Sequence, residues 1–180
     1  MKLNKTIIAH RYGSALFELA LEKDERQALK EELVELKQIL VNEPKMMLLL
    51  TSKQISRVDK QKFIKTLGDS ASETLKNLLD MLFDYDRIGD LDVIIDEYIR
   101  LNDEYEKTVK AVVTTAIPLE SEQKAKLADS FARIVGANKV VLEEKVDSDI
   151  IGGVILRSNN YIYDGSLKLR FAQIKRMLLK

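Results

Sequence analysis

Leu29, Leu33, Leu36 and Leu40 recur at steps of four, three and four, with charged or polar residues at most of the positions between them. That spacing lays one apolar stripe along a helix. The same periodicity holds from Lys5 to about Lys107. Asn42-Glu43-Pro44 ends the leucine-striped helix, and Met46 to Leu50 forms a short apolar helix stub. Ser70-Ala71-Ser72-Glu73 has the Ser-x-x-Glu form of a capping box, which predicts a helix start there. Leu75, Leu78, Leu79 and Leu82 follow at core spacing, and Arg87-Ile88-Gly89 reads as a break. A long helix is predicted from about Leu91 to Glu106 through Ile94, Ile95, Tyr98, Leu101 and Tyr105.

At Thr108 the period falls from about 3.6 to 2. Val109 to Ile117 reads as a strand stopped by Pro118, and Ser121 to Val135 as an amphipathic helix ended by Gly136. Val140 to Val146 and Val154 to Arg157 are two further strands. Tyr161 to Tyr163 is a fourth, beyond a turn at Asn159-Asn160. Asp164-Gly165-Ser166 is turn and cap chemistry before a last helix from Leu167 to the end. The expected fold is α followed by α/β: an N-terminal six-helix bundle over 1–108 and a small C-terminal α/β domain over 109–180. No Gly or Pro marks the boundary, so the long helix has room to run directly into the first strand. A domain as small as the second buries little surface and is expected to be marginal alone.

Charge sharpens this division. The chain has 29 basic and 29 acidic side chains, a net charge of zero. Residues 1–108 hold 17 basic and 21 acidic side chains, net −4, and the remainder carries net +4. An apolar share of 46 % excludes disorder over the whole chain, and the balance disfavours a globally basic nucleic-acid binder. With no cysteine and one histidine, disulfides, thiolate metal sites, cysteine nucleophiles and multi-imidazole metal sites are excluded. The longest uncharged run, Ala111 to Leu119, has nine residues, against the roughly 20 that span a bilayer. The expectation is a soluble intracellular protein that reaches a membrane only through a partner.

Candidate chemistry is sparse. His10 lies at the border of the first helix, with no acid forced beside it by local spacing. Gly152-Gly153 precedes a strand and lacks the Lys and Ser or Thr of a phosphate loop, so it reads as a tight turn or close backbone approach. The acids from Asp80 to Glu106 read as a solvated negative face rather than a catalytic pair. Lys168, Arg170, Lys175, Arg176 and Lys180 give the last helix five cations and no acid. They suit either the helix macrodipole or a partner site. No stacking pattern of aromatics accompanies them.

The first helix is more informative. Ile8, Tyr12, Ala15, Leu16 and Leu19 form one stripe, which Ala9, Gly13, Phe17, Ala20 and Leu21 extend round the helix. Roughly two-thirds of the circumference is apolar, wider than one core contact requires. The helix from Leu75 to Tyr85 is similarly broad. Either both helices lie centrally in the bundle, or a second side accepts a partner's amphipathic helix.

The segment Ala9-His10-Arg11-Tyr12-Gly13-Ser14-Ala15-Leu16-Phe17 resembles the opening motif of the delta subunits of bacterial F-type ATP synthases. The oligomycin-sensitivity-conferring protein is their mitochondrial relative. Val146-Asp147-Ser148-Asp149-Ile150-Ile151-Gly152-Gly153-Val154 and Tyr163-Asp164-Gly165-Ser166 are similar to the family's second signature, and Ala116-Ile117-Pro118-Leu119 to its first C-terminal strand and exit. The resemblance runs the whole chain. It departs at Ser148 or Asp149, where the family often has Pro, and at Asp84-Tyr85-Asp86, where an Asn is common.

The resemblance implies a non-catalytic linker without cofactor or metal, at the cytoplasmic face of the bacterial cell membrane. Its N-terminal bundle would grip the N-terminal helix of an alpha subunit of the catalytic head. The groove would be lined by Tyr12, Ala15, Leu16 and Leu19 from the first helix, and by Leu75, Leu78, Leu79 and Leu82 from the fifth. The C-terminal domain would hold the b subunits of the peripheral stalk, with Gly152, Gly153, Lys168, Arg170, Lys175 and Arg176 as candidates. Two other classes remain for comparison: a helical adaptor with a basic nucleic-acid-binding C-terminal module, and an enzyme using the acidic region.

Overall fold

The computed structural model describes residues 5–68, 71–158 and 161–179. They divide into two compact units, Met1–Asn102 and Asp103–Lys180. The first is helical, with α1 (Lys5–Glu22), α2 (Arg26–Asn42), α3 (Pro44–Thr51), α4 (Arg57–Gly68), α5 (Glu73–Asp84) and most of α6 (Leu91–Tyr105). Pro44 both ends α2 and opens α3, at a position where its missing N–H needs no partner. The N-cap of α5 is Ser72, whose hydroxyl oxygen accepts from Leu75 N at 3.3 Å and donates to Glu32 Oε2 at 2.7 Å. This corrects the cap expected at Ser70, a position outside the described residues, because Glu32 of α2 fixes Ser72 in place.

The leucine stripe of α2 is fully buried, as are Leu75, Leu78, Leu79, Leu82 and Phe83 of α5. They share one core with Ile94, Ile95 and Tyr98 of α6 and with Ile8, Leu16 and Ala20 of α1. Phe17 meets the Tyr98 ring edge-on, with centroids 5.9 Å apart. Burial pushes the Tyr98 phenol up to about 12, and its hydroxyl donates to the Arg26 carbonyl at 2.8 Å. The Arg26 guanidinium in turn donates to Asn102 Oδ1, so one polar chain joins the start of α2 to α6.

The second tie between helices is a close crossing of α1 on α6. A Cβ added at Gly13 would lie 2.7 Å from Glu97 Cγ and 2.8 Å from its Cβ. Only glycine admits this approach. Above it, His10 Nδ1 lies 2.9 Å from Glu97 Oε1, while Arg100 donates to the same carboxylate through Nε at 2.8 Å and Nη2 at 2.9 Å. Hydrogen bonding from Arg100, joined by that from His10, outweighs partial burial and holds the Glu97 carboxyl down at about 2.

The long helix does not run directly into the first strand. It stops at Tyr105, and Lys107 takes a left-handed φ of 52°. Asn138 secures that reversal, donating from its backbone N to Lys107 O at 2.9 Å and from Nδ2 to Glu106 O at 3.1 Å. The strands are β1 (Thr108–Thr115), β2 (Lys139–Val146), β3 (Val154–Ser158) and β4 (Ile162–Asp164), with α7 (Ser121–Val135) between the first two. They form one mixed sheet in the order β2-β1-β3-β4, in which β1 is parallel to β2 and antiparallel to β3. The first strand ends at Thr115 rather than at Ile117, because both neighbours end their pairing there, at Val146 and Val154. The turn expected at Asn159-Asn160 lies outside the described residues.

Along β1 the side chains alternate. Val109, Ala111 and Val113 pack with Leu142 and Leu156 against Leu127, Ala128, Phe131 and Val135 of α7. The opposite face carries an open depression lined by Lys110, Val112, Val141, Glu143 and Arg157. The terminal helix α8 (Leu167–Leu178) has no buried residue.

Leu82 is 0 % exposed, so Leu82→Ala is expected to lower stability by about 2–5 kcal/mol, read as a shift in a urea unfolding midpoint. Tyr98→Phe removes the hydroxyl's bond to the Arg26 carbonyl and should cost about 0.5–1.5 kcal/mol by the same measurement. Glu97 is held below its ordinary 4.5, so its contribution is complete above that value and is lost as pH falls towards about 2. Urea midpoints of the native chain should therefore fall across that window. Glu97→Gln should be weaker at neutral pH and flatter below 4.5, and an equally steep acid loss in the variant would contradict the assignment.

Candidate partner-binding surfaces

Two of the helices expected to meet partners, α1 and α8, carry apolar side chains that their own unit leaves uncovered. The first is the outer flank of α1. Ile8, Ala9, Gly13, Leu16 and Ala20 turn into the core. Tyr12 is half-buried against it, Ala15 is exposed, and Leu19 is 40 % exposed. On a helical wheel Tyr12, Ala15 and Leu19 sit beside one another, next to the core stripe.

The expected groove residues thus separate into two sets. Leu16, Leu75, Leu78, Leu79 and Leu82 are brought together, but inside the helical core, where each is at most 5 % exposed. Tyr12, Ala15 and Leu19 are the members that reach the surface. Most of the broad apolar arc of α5 packs within its own unit; the exposed positions of the helix, Glu73, Lys76, Asn77, Asp80 and Asp84, are polar, and Tyr85 just beyond it is 68 % exposed. At the far end of α1, Thr74 Oγ1 accepts from Lys23 Nζ at 3.3 Å and donates to Glu25 Oε2 at 3.0 Å, joining the α1–α2 turn to the first turn of α5.

The second surface is α8 and the segment that leads into it. Gly153 has φ 80°, and a Cβ there would come within 2.3 Å of Gly165 O. Leu167 N donates to Gly152 O at 2.9 Å, and Gly165 N to Val154 O at 2.9 Å. Gly152 and Gly153 therefore let two backbone segments of the same unit touch, and they position the start of α8. Ser166 caps that helix, its hydroxyl oxygen accepting from Leu169 N at 3.2 Å. Hydrogen bonds from Ser166, side chain first and backbone second, hold the exposed Asp164 carboxyl below its ordinary value. Lys168, Arg170, Lys175 and Arg176 are all exposed, and among the described residues none is held in an ion pair.

Two apolar features of this surface are absent from the residues expected in the sequence. Leu167, Phe171, Ile174 and Leu178 are exposed at steps of four, three and four, a pattern present in the sequence beside the charges. Ile151 is 59 % exposed at a left-handed φ of 68°, for which no sequence signal exists.

His10 is tied to Glu97 at the helix crossing, and the acids of α6 are spread among ion pairs, Asp96 with Lys37 and Asp103 with Lys110 at 2.6 Å. Among the described residues no three His, Cys, Asp or Glu side chains gather as a metal site, and no helix is long and apolar enough to cross a membrane.

A family model described as ATP synthase delta (OSCP) subunit matches residues 8–178. ATP synthase subunit delta of Ligilactobacillus salivarius (strain UCC118) is 55 % identical over 180 residues, covering all of both chains. The protein of the same description from Lactiplantibacillus plantarum (strain ATCC BAA-793 / NCIMB 8826 / WCFS1) is 45 % identical over 179 residues, 99 % of each chain. Among solved structures, a chain of the Toxoplasma gondii mitochondrial ATP synthase hexamer superposes with a TM-score of 0.68 at 20 % identity, covering 96 % of this chain and 97 % of that one. That last likeness speaks to the fold, and the two full-length relatives speak to descent. The chain belongs to the ATP synthase delta (OSCP) subunit family.

Proposed function

We propose that the chain is a non-catalytic stator subunit of a proton-translocating F-type ATP synthase, linking the catalytic head to the peripheral stalk. The observation that carries this is agreement along the whole length with subunits named delta of ATP synthases. The two uncovered apolar surfaces, one in each unit, suit a chain that holds two partners at once. Rotation of a central shaft drives synthesis only if the head is kept from turning with it. Apolar burial stabilises a contact by about 25 cal/mol per Å2, and buried anchor residues act mainly by slowing release. The adaptor with a nucleic-acid-binding module is set aside, since the relatives are ATP synthase subunits over their full length.

In this reading the helical unit is a six-helix bundle that takes the N-terminal helix of an alpha subunit on the flank of Tyr12, Ala15 and Leu19. The second unit takes the b subunits on α8. The protein would then sit at the cytoplasmic face of the bacterial cell membrane, attached through the complex.

Calorimetry of the full chain with a peptide of the alpha-subunit N-terminus tests the first contact. Binding at micromolar concentration or tighter is expected. Leu19→Asp, at a 40 % exposed position, should weaken it on the order of tenfold, whereas Leu21→Asp, 43 % exposed on another side of α1, should not. No binding by the native chain, or equal effects of the two substitutions, would overturn the assignment of this flank.

A further inference from the structure

The terminal helix carries a pattern more specific than amphipathicity. Leu167, Phe171, Ile174 and Leu178 fall at steps of four, three and four, the a and d positions of a heptad. On a wheel they span roughly 60°, the width of a coiled-coil seam, while Leu169, Met177 and Leu179 are exposed off that stripe. With Phe171 and Leu178 at a, the flanking e and g positions are Lys168, Arg170, Lys175 and Met177. Every charged flank is therefore basic, and no acid stands anywhere in α8.

Among the described residues this seam is only partly covered: Leu167, 37 % exposed, packs beside Gly152, and Ile174 is 48 % exposed. Phe171 is 57 % and Leu178 81 % exposed, and the helix buries none of its residues. A twelve-residue helix is marginal by itself and draws stability from packing its apolar side. Charge selects what that packing can be. Two copies of α8 would set basic flank against basic flank, which disfavours self-pairing, whereas an acidic helix would pair at each e and g position.

We propose that α8 is one strand of a hetero-coiled coil, with Leu167, Phe171, Ile174 and Leu178 as the seam, and that Lys168, Arg170 and Lys175 restrict its partner to a heptad helix with acidic flanks. The proposal rests on the reading that the second unit holds the stalk, and it names the contact residues and the partner's charge. Gly152, Gly153 and the Ser166 cap set the point from which the helix projects. Arg176 lies at the outward f position and contributes little.

The test uses the full chain and a designed helical peptide of about four heptads, apolar at a and d with glutamate at every e and g. A twin peptide with lysine at those positions and vesicles of phosphatidylglycerol are the other probes. The glutamate peptide is expected to bind, more weakly as salt rises, and the lysine peptide not to bind. The variant Lys168→Glu/Arg170→Glu/Lys175→Glu should lose the glutamate peptide by on the order of tenfold or more and gain the lysine peptide, a gain that an unfolded chain cannot give. The chain has no cysteine, so Ile174→Cys should form a disulfide with a peptide bearing cysteine at a core position and not with one bearing it at f. Failure of the native chain to bind the glutamate peptide, equal binding of both peptides, or binding of the vesicles in its place would overturn the proposal. A parallel measurement with the soluble portion of the stalk's b subunits separates the two readings. If the native chain and the triple variant bind them equally, the seam is wrong and the stalk reading stands. If the b subunits do not bind while the glutamate peptide does, the seam stands and the stalk reading fails.

Discussion

The leucine face of α5 is the constraint on which the helical unit depends. Six of its twelve residues are buried, and it packs against α2, α4 and the turn Ile88–Asp90 within the shared core. Interiors pack at crystal-like density, and these six residues are spent on the unit's own core. The consequence falls on α1. Its inner face completes the core, the Gly13 crossing brings it against α6, and its remaining apolar flank is left exposed. The His10–Glu97–Arg100 cluster follows from the same arrangement. It stands where α1 and α6 meet most closely, and it uses the chain's one histidine as a tie between helices.

The second unit solves a different problem with less material. Its sheet is covered by α7 on one face only, and α8 adds no buried residue. A domain of this size has too little interior to enclose every apolar side chain it carries. What it leaves outside includes a heptad-spaced stripe between basic flanks and an exposed Ile151 on strained backbone. Strain of this kind persists only where the surroundings hold it. Here the Gly153–Gly165 approach and the Leu167 N to Gly152 O bond do so. The glycine pair thus serves the surface indirectly, by fixing where α8 begins.

Much of this was legible in the sequence, for local reasons. Helical and extended periods differ by nearly a factor of two, so the switch at Thr108 and most elements could be read from spacing. Pro44 and Gly136 act through their own backbones and ended their helices as expected. Boundaries set by partners were not legible. Ser72 caps α5 because Glu32 reaches it from α2, and β1 stops at Thr115 because its neighbours stop.

The sequence by itself determined the two-part organisation, the absence of thiol and multi-histidine chemistry, and the apolar arcs of α1 and α5. Spacing and composition are properties of the chain alone. Only the tertiary structure decided which apolar side chains are spent on the core and which remain for a partner. A wheel shows how wide an arc is but not what packs against it. The leucines of α5 turned out to be enclosed, the arc of α1 only in part, and the seam of α8 least.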